Sequence, residues 1–266
     1  MIPTLSLTLA LLASTAFAGK RGLAWPWYNK PLNPGVLAGG QTSFIYDWET
    51  YAPPSSNGNG GLEFIGMQGC KDCDSSPVGD LKNRANAQKW KHLFTLNEPD
   101  INGISPGDAA SWYKTNIASL SLKKALPAVT SSTNAGQGLD WLSQMVKACG
   151  NGCPAAYINV HWYGNNFNEF QTFIQKAHQQ FGGHDIVISE FALAKPAGGQ
   201  QAQVDFFRQA FTWLDSQNYV AMYFPFVATS PQLLQANDQG AVNHVGTGST
   251  LYSNDGSASA VGKLMK

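Results

Sequence analysis

Short apolar runs recur along the chain, and eight of them read as strands: residues 21–27, 44–48, 63–68, 92–97, 125–131, 157–163, 186–190 and 220–226. Runs of this kind suit a sheet buried on both faces. Between the later runs the apolar period lengthens to that of a helix. Residues 80–90 are polar with periodic apolar positions. Residues 106–120 follow Ser105, with Asp108 three positions on, the pattern of a capping box. Residues 139–149 stop at Gly150, and 168–181 stop at Gly182-Gly183. Residues 200–216 place Val204, Phe207, Phe211 and Leu214 on one face. Strands alternating with helices predict a parallel sheet. Eight of them predict an α/β fold, a closed (β/α)8 TIM-like barrel. The first third departs from this rhythm. Asn33-Pro34-Gly35, Ala52-Pro53-Pro54 and the Ser/Asn/Gly run 55–61 leave little room for helices. The barrel is expected to be somewhat irregular on that side.

The opening apolar stretch is different. It runs to Ala16-Phe17-Ala18, a small-x-small cleavage pattern. Residues 1–18 are therefore expected to be a secretory signal peptide, although no Lys or Arg precedes the apolar core. They are too short for a membrane span, and no second apolar stretch of spanning length follows. Residues 19–266 are expected to form one catalytic-sized domain, secreted to the medium or the cell wall and monomeric.

Composition narrows the partners. Lys+Arg and Asp+Glu are each 17, with no basic run, so nucleic acid is not an expected partner. Charged residues make up only 13% while aromatics reach 12%, with eight Trp. Most of these fill the core, but some are available to stack on sugar rings. Cys70, Cys73, Cys149 and Cys153 form two close pairs. Export favours disulfides, and four cysteines allow three connectivities. Pairing 70–73 and 149–153 closes no long loop. A zinc site built from both pairs is the alternative. The chain has no N-glycosylation sequon.

The candidate chemistry lies at strand ends. Glu98 closes the run His-Leu-Phe-Thr-Leu-Asn-Glu, and Glu190 closes Asp-Ile-Val-Ile-Ser-Glu. Strand ends line the C-terminal mouth of a parallel barrel, where active sites gather. Two carboxylates there are what glycoside hydrolysis needs. The bland readings are a helix-dipole carboxylate for Glu98 and a paired surface carboxylate for Glu190. Asn159-Val160-His161-Trp162-Tyr163 closes another strand, and alternation puts His161 and Tyr163 on one face with Trp162 on the other. His161 and Tyr163 are then neighbours of the carboxylates; the bland reading for His161 is a satisfied core histidine. Trp48, Gln68 and Phe226 end strands two, three and eight and are candidate sugar contacts.

These residues carry a resemblance. Asn97-Glu98-Pro99, His161-Trp162-Tyr163 and Ser189-Glu190-Phe191 resemble the clan of retaining (β/α)8 glycosidases with glutamates after strands four and seven. With Gly22-Leu23-Ala24-Trp25 and Tyr46-Asp47-Trp48, most of residues 21–262 is similar to the catalytic core of glycoside hydrolase family 128, whose members are β-1,3-glucanases. The resemblance implies that Glu98 is the acid/base, that Glu190 is the nucleophile, and that Asn97 holds the sugar 2-hydroxyl. It implies a β-1,3-glucan or its oligosaccharides as substrate and no metal or organic cofactor. Glu98 is then expected to have a raised pKa beside Glu190, with Glu190 held down by His161 or Tyr163. The alternatives are a glucan-binding protein without turnover and a hydrolase of another β-linkage. Segments 49–62 and 227–250 are expected to be flexible loops of the groove.

Overall fold

The structure is a computed structural model that describes residues 19–266; the expected leader lies outside the described residues. Eight parallel strands form the barrel: β1 (Arg21–Ala24), β2 (Thr42–Tyr46), β3 (Glu63–Phe64, resumed at Gly66–Gln68), β4 (His92–Thr95), β5 (Lys123–Lys124), β6 (Tyr157–Gly164), β7 (Asp185–Leu193) and β8 (Val220–Pro225). They fall into two hydrogen-bonded sheets. The first runs from the start of β3 through β2, β1, β8 and β7 to β6, and the second joins the end of β3 to β4 and β5. Single bridges close the gap: Asn97 to Ala128, Ala125 to Tyr157, and Val129 to Val160. The run expected at 125–131 is thus a strand that pairs residue by residue with both neighbours, without a continuous ladder.

Helices follow where the sequence places them: α1 (Leu81–Gln88), α2 (Pro106–Asn116), α3 (Gly138–Cys149), α4 (Phe167–Gln180) and α5 (Gly199–Ser216). Ser105 caps α2 by accepting the Asp108 amide, and Asn166 caps α4 by accepting that of Glu169. After β1 there is only a 3-10 turn, Pro34–Val36, and no helix separates β2 from β3. The irregular first third is real. The segment expected to be a flexible loop after β8 instead folds into α6 (Pro231–Asn237) and α7 (Gln239–His244), capped by Ser230 and Asp238.

Two apolar layers hold the barrel. The interior contains Ala24, Tyr46, Met67, Phe94, Ala128, Val187, Met222 and Phe224. The outer layer, between strands and helices, includes Leu23, Ile45, Leu93, Val160, Ile188 and Phe191 with the helical Phe170, Phe206 and Phe207. Strand alternation sorts one set from the other. Gly22 is required on β1, because a Cβ there would lie 2.0 Å from the Phe224 ring. Both cysteine pairs are disulfides, Cys70–Cys73 and Cys149–Cys153. Among the described residues no helix is long and apolar enough to cross a membrane.

Candidate active site

A cleft of about 740 Å³ opens at the C-terminal ends of the strands, lined by Trp48, Asn97, Glu98, His161, Tyr163, Glu190 and Phe226 among others. All the sequence candidates except Gln68 and the cysteines meet there. Gln68 is fully buried, and its amide donates to the carbonyls of Ser76 and Cys70. It braces the disulfide loop and does not line the cleft. In the 223–226 segment, Phe224 fills the interior, Tyr223 bonds to Arg21 and Asp215 at the far end, and Phe226 alone faces the cleft.

Glu98 follows β4 and is held from both sides. The Asn97 amide donates to Gly69 O and the Glu98 amide to Ala128 O, each over 2.8 Å. Glu98 sits at φ 47° and Trp48 at φ 63°, in the left-handed region that L-residues avoid. Such strain costs about 1–3 kcal/mol per residue and collects at working sites. Asn102 Nδ2 donates to Glu98 O over 3.0 Å and steadies the turn. The buried Asp100 carboxylate accepts from Thr130 Oγ1 and Gly138 N, tying this turn to the one after β5.

Glu190 is placed by a bulge. Val160 pairs with Ile188 but His161 pairs with Glu190, so β7 carries one extra residue, Ser189. Val187 faces the interior and Phe191 the outer layer. Between them, consecutive Ser189 and Glu190 both turn toward His161. Ser189 Oγ lies 2.9 Å from His161 Nε2, and Glu190 Oε1 lies 3.5 Å from the same nitrogen. Glu190 accepts from Trp48 Nε1 at 2.7 Å on Oε1 and from the Tyr163 hydroxyl at 2.6 Å on Oε2. His161 Nδ1 lies 2.9 Å from Glu98 Oε1. One carboxylate oxygen of Glu98 and one of Glu190 come within 4.8 Å of each other.

The electrostatics depart from the sequence expectation. Burial pushes the Glu190 carboxyl up, and the charge of Glu98 adds to this; His161, Tyr163 and Trp48 offset only part. Burial also pushes Glu98 up, but the hydrogen bond and charge of His161 outweigh it and leave Glu98 below its usual range. Burial opposes a charged His161, yet the charges of Glu190 and Glu98 raise its pKa overall. In the free protein the proton therefore rests on the Glu98–His161 pair rather than on Glu98 alone.

Several lining residues carry no signal in the sequence pattern. Trp27, 63% exposed, forms part of the rim with Tyr28 packed edge-on against it. Asp238, the cap between α6 and α7, and His244, the last residue of α7, also line it, with the His244 ring 5.0 Å from Tyr163. Asp47 is buried beside Trp48; its Oδ2 finds no partner among the described residues, and burial pushes its pKa well above the carboxylate range.

Comparison with known proteins agrees with this geometry. The model of the glycosyl hydrolase catalytic core matches residues 22–264. A family 128, subgroup IV endo-β-1,3-glucanase from Lentinula edodes is 62% identical, with a TM-score of 0.90 over 93% of this chain and 99% of that one. A subgroup III curdlan-specific exo-β-1,3-glucanase from Blastomyces gilchristii, solved with glucose, is 26% identical at a TM-score of 0.69, over 93% and 97% of the two chains. Alkali-sensitive linkage protein 1 of Schizosaccharomyces pombe is 28% identical over 265 residues. That match spans 94% of this chain but only 45% of the yeast protein. With a catalytic-core match over nearly its whole described length and a close structural relative in family 128, the chain belongs to the glycosyl hydrolase catalytic core family, within glycoside hydrolase family 128.

Proposed function

We propose that this protein is a secreted endo-β-1,3-glucanase that hydrolyses its substrate with retention of anomeric configuration. The observation that carries the reading is the pair of strand-end carboxylates in one cleft, with oxygens within 4.8 Å. Retaining enzymes hold their carboxyl groups about 5–5.5 Å apart, whereas inverting ones need about 6.5–9.5 Å to admit a water. The Lentinula edodes relative supports the linkage and the endo mode.

Glu190 is the nucleophile. Trp48 Nε1 can only donate, so the Glu190 oxygen it meets is an acceptor, which favours the carboxylate. As that carboxylate attacks the anomeric carbon, the glycosidic C–O bond breaks and the departing oxygen takes, through Glu98, the proton held between Glu98 and His161. Glu98 then removes a proton from water, the resulting hydroxide attacks the anomeric carbon, and Glu190 is released. Asn97 is assigned to the 2-hydroxyl; it lines the cleft, and its Oδ1 is buried without a partner among the described residues, which supports that use. Trp27, Trp48, Tyr163 and Phe226 offer aromatic faces for pyranose rings. The expected occupant is a β-1,3-glucan chain of the kind found in cell walls.

The test is to follow laminarin hydrolysis by proton NMR. β-Anomer should appear first and oligosaccharides of several lengths should accumulate. Initial α-anomer would overturn retention, glucose as the only early product would overturn the endo mode, and faster release from β-1,4-glucan would overturn the linkage.

A further inference from the structure

We propose that Ser189 and Asn159 fix the tautomer of His161, so that the proton needed for glycosidic cleavage is stored in the contact between His161 Nδ1 and Glu98. This deepens the proposed glucanase mechanism and rests on Glu98 being its acid/base.

The argument is a count of donors and acceptors. Asn159 Oδ1 faces both the Ser189 backbone N–H, at 3.3 Å, and the Ser189 hydroxyl, at 2.8 Å. The backbone group can only donate, so the atom it faces must be the amide oxygen. Asn159 Nδ2 is buried with no partner among the described residues, so nothing there pulls the amide the other way. The Ser189 hydroxyl therefore spends its one proton on Asn159. Toward His161 it has only lone pairs, and Nε2, 2.9 Å away, must carry a hydrogen. His161 is fully buried, so no solvent offers an alternative.

With Nε2–H fixed, the other nitrogen has two states. Either Nδ1 accepts from a protonated Glu98, or Nδ1–H of an imidazolium donates to a carboxylate; both hold one proton in the 2.9 Å contact. If that proton leaves, a bare Nδ1 faces a bare carboxylate oxygen, lone pair to lone pair. The ring cannot relieve this by moving its hydrogen to Nδ1, because Nε2–H is held by Ser189. The pair therefore keeps its proton to higher pH than a free imidazole would. In the forward step the proton passes from the pair to the departing glycosidic oxygen, and in the second step the pair regains one from water. Ser189 and Asn159 touch neither substrate nor reacting atoms in this scheme; they are positioning residues. The bulge on β7 is what lets Ser189 and Glu190, consecutive in the chain, both face His161.

The groups facing the pair from the surrounding elements are Glu190 on β7, Tyr163 on β6, Tyr46 on β2, Asp100 after β4 and His244 on α7. All remain in place in Ser189→Ala. That variant lets neutral His161 move its hydrogen to Nδ1, toward an ionised Glu98, so the pair gives up its second proton sooner. The basic limb of kcat/KM on laminarin should fall by about one pH unit, the scale of one lost hydrogen bond. Ser189→Thr, which keeps the hydroxyl, should restore it. On a 2,4-dinitrophenyl glucoside, whose leaving group needs no proton, kcat/KM should show no such displacement. An unmoved limb on laminarin, or an equal displacement on both substrates, overturns the proposal.

A second arm needs no activity. In protein labelled with 15N-histidine, long-range proton–nitrogen correlation should show His161 Nε2 protonated across the titration, with Nδ1 the nitrogen whose signal changes. His161→Gln identifies the resonance among the five histidines. A bare Nε2 with Nδ1–H overturns the inference even if Ser189→Ala does not fold. A wild-type protein that leaves laminarin intact would overturn the glucanase reading, while this arm still decides the tautomer.

Discussion

The indole Nε1 of Trp48 donates to Oε1 of Glu190 over 2.7 Å, although 142 residues separate the two along the chain. Trp48 reaches this position through its left-handed backbone at the end of β2. It also packs against Tyr46 and Phe226, with ring centroids 4.9 and 6.4 Å away. One side chain thus lines the cleft and donates to Glu190, the proposed nucleophile.

Trp48→Phe separates these roles, since it keeps an aromatic face and removes the N–H. A hydrogen bond to a charged group contributes about 1.5–3 kcal/mol, so kcat/KM on laminarin should drop roughly 10- to 150-fold. An unchanged rate in a folded variant, judged by near-UV circular dichroism, would show that the indole N–H does not support Glu190.

Glu98→Ala should lose about 10²- to 10⁴-fold on laminarin, the usual span for general acid–base catalysis. Added azide should restore turnover of a dinitrophenyl glucoside and give the β-glucosyl azide. An α-azide product would mean that no covalent intermediate forms on Glu190.

Activity should follow a bell in pH. Glu190 must be ionised, and burial raises its pKa, so the acid limb should lie above the usual glutamate value of about 4.3. The Glu98–His161 pair must hold its proton, and His161 is raised, so the basic limb should lie above about 6.5. Stability follows the same signs. The raised His161 contributes below its unfolded pKa and loses that contribution as pH rises through the folded value. The lowered Glu98 contributes above its unfolded pKa and loses it as pH falls through the folded value. An acid limb at or below the ordinary glutamate value would contradict the burial argument.

Glu190→Gln should abolish turnover and raise the melting temperature near neutral pH. The raised pKa of Glu190 means that folding disfavours its charged form there, and a neutral amide of similar shape removes that cost. For a chain of this size each kcal/mol corresponds to roughly 2–4 °C. Calorimetry on both proteins checks it; a lower melting temperature for the variant would show that the carboxylate's two donors, Trp48 and Tyr163, together with the His161 charge, outweigh its desolvation.

Both disulfides close very short loops, with separations of three and four residues. By chain entropy each contributes about 2 kcal/mol. Intact mass after alkylation without reductant should show no modified thiols, and reduction should lower the melting temperature by several degrees. Four alkylatable thiols in the native protein would reopen the zinc alternative.

Strands and long helices were legible because burial on two faces leaves apolar runs and burial on one leaves a stripe. Ser105 marked the start of α2 by its side chain alone. By contrast, α6 and α7 bury almost nothing of their own, only Leu234 in α6, so no periodicity announces them. The site was legible where a carboxylate, an imidazole or a phenol ended a strand. Gln68 ended one too, but its amide serves two carbonyls of the neighbouring loop, and no local pattern separates that use from a sugar contact. Trp27 was obscured by its neighbour Trp25, fully buried with its N–H on Pro54 O; one tryptophan fills the core and the next but one meets solvent. The pKa expectation reversed because the sequence gives no distances: His161 lies 2.9 Å from Glu98 and 3.5 Å from Glu190.

The extra residue on β7 also limits how this site can be moved. Transplanting Glu98, His161, Tyr163 and Glu190 onto another eight-stranded barrel with a regular seventh strand would turn either Ser189 or Glu190 outward, since a regular strand cannot aim neighbours the same way. A designer must therefore graft the irregularity itself. An aligner that matches barrels strand by strand will, for the same reason, fall one position out of step somewhere along β7.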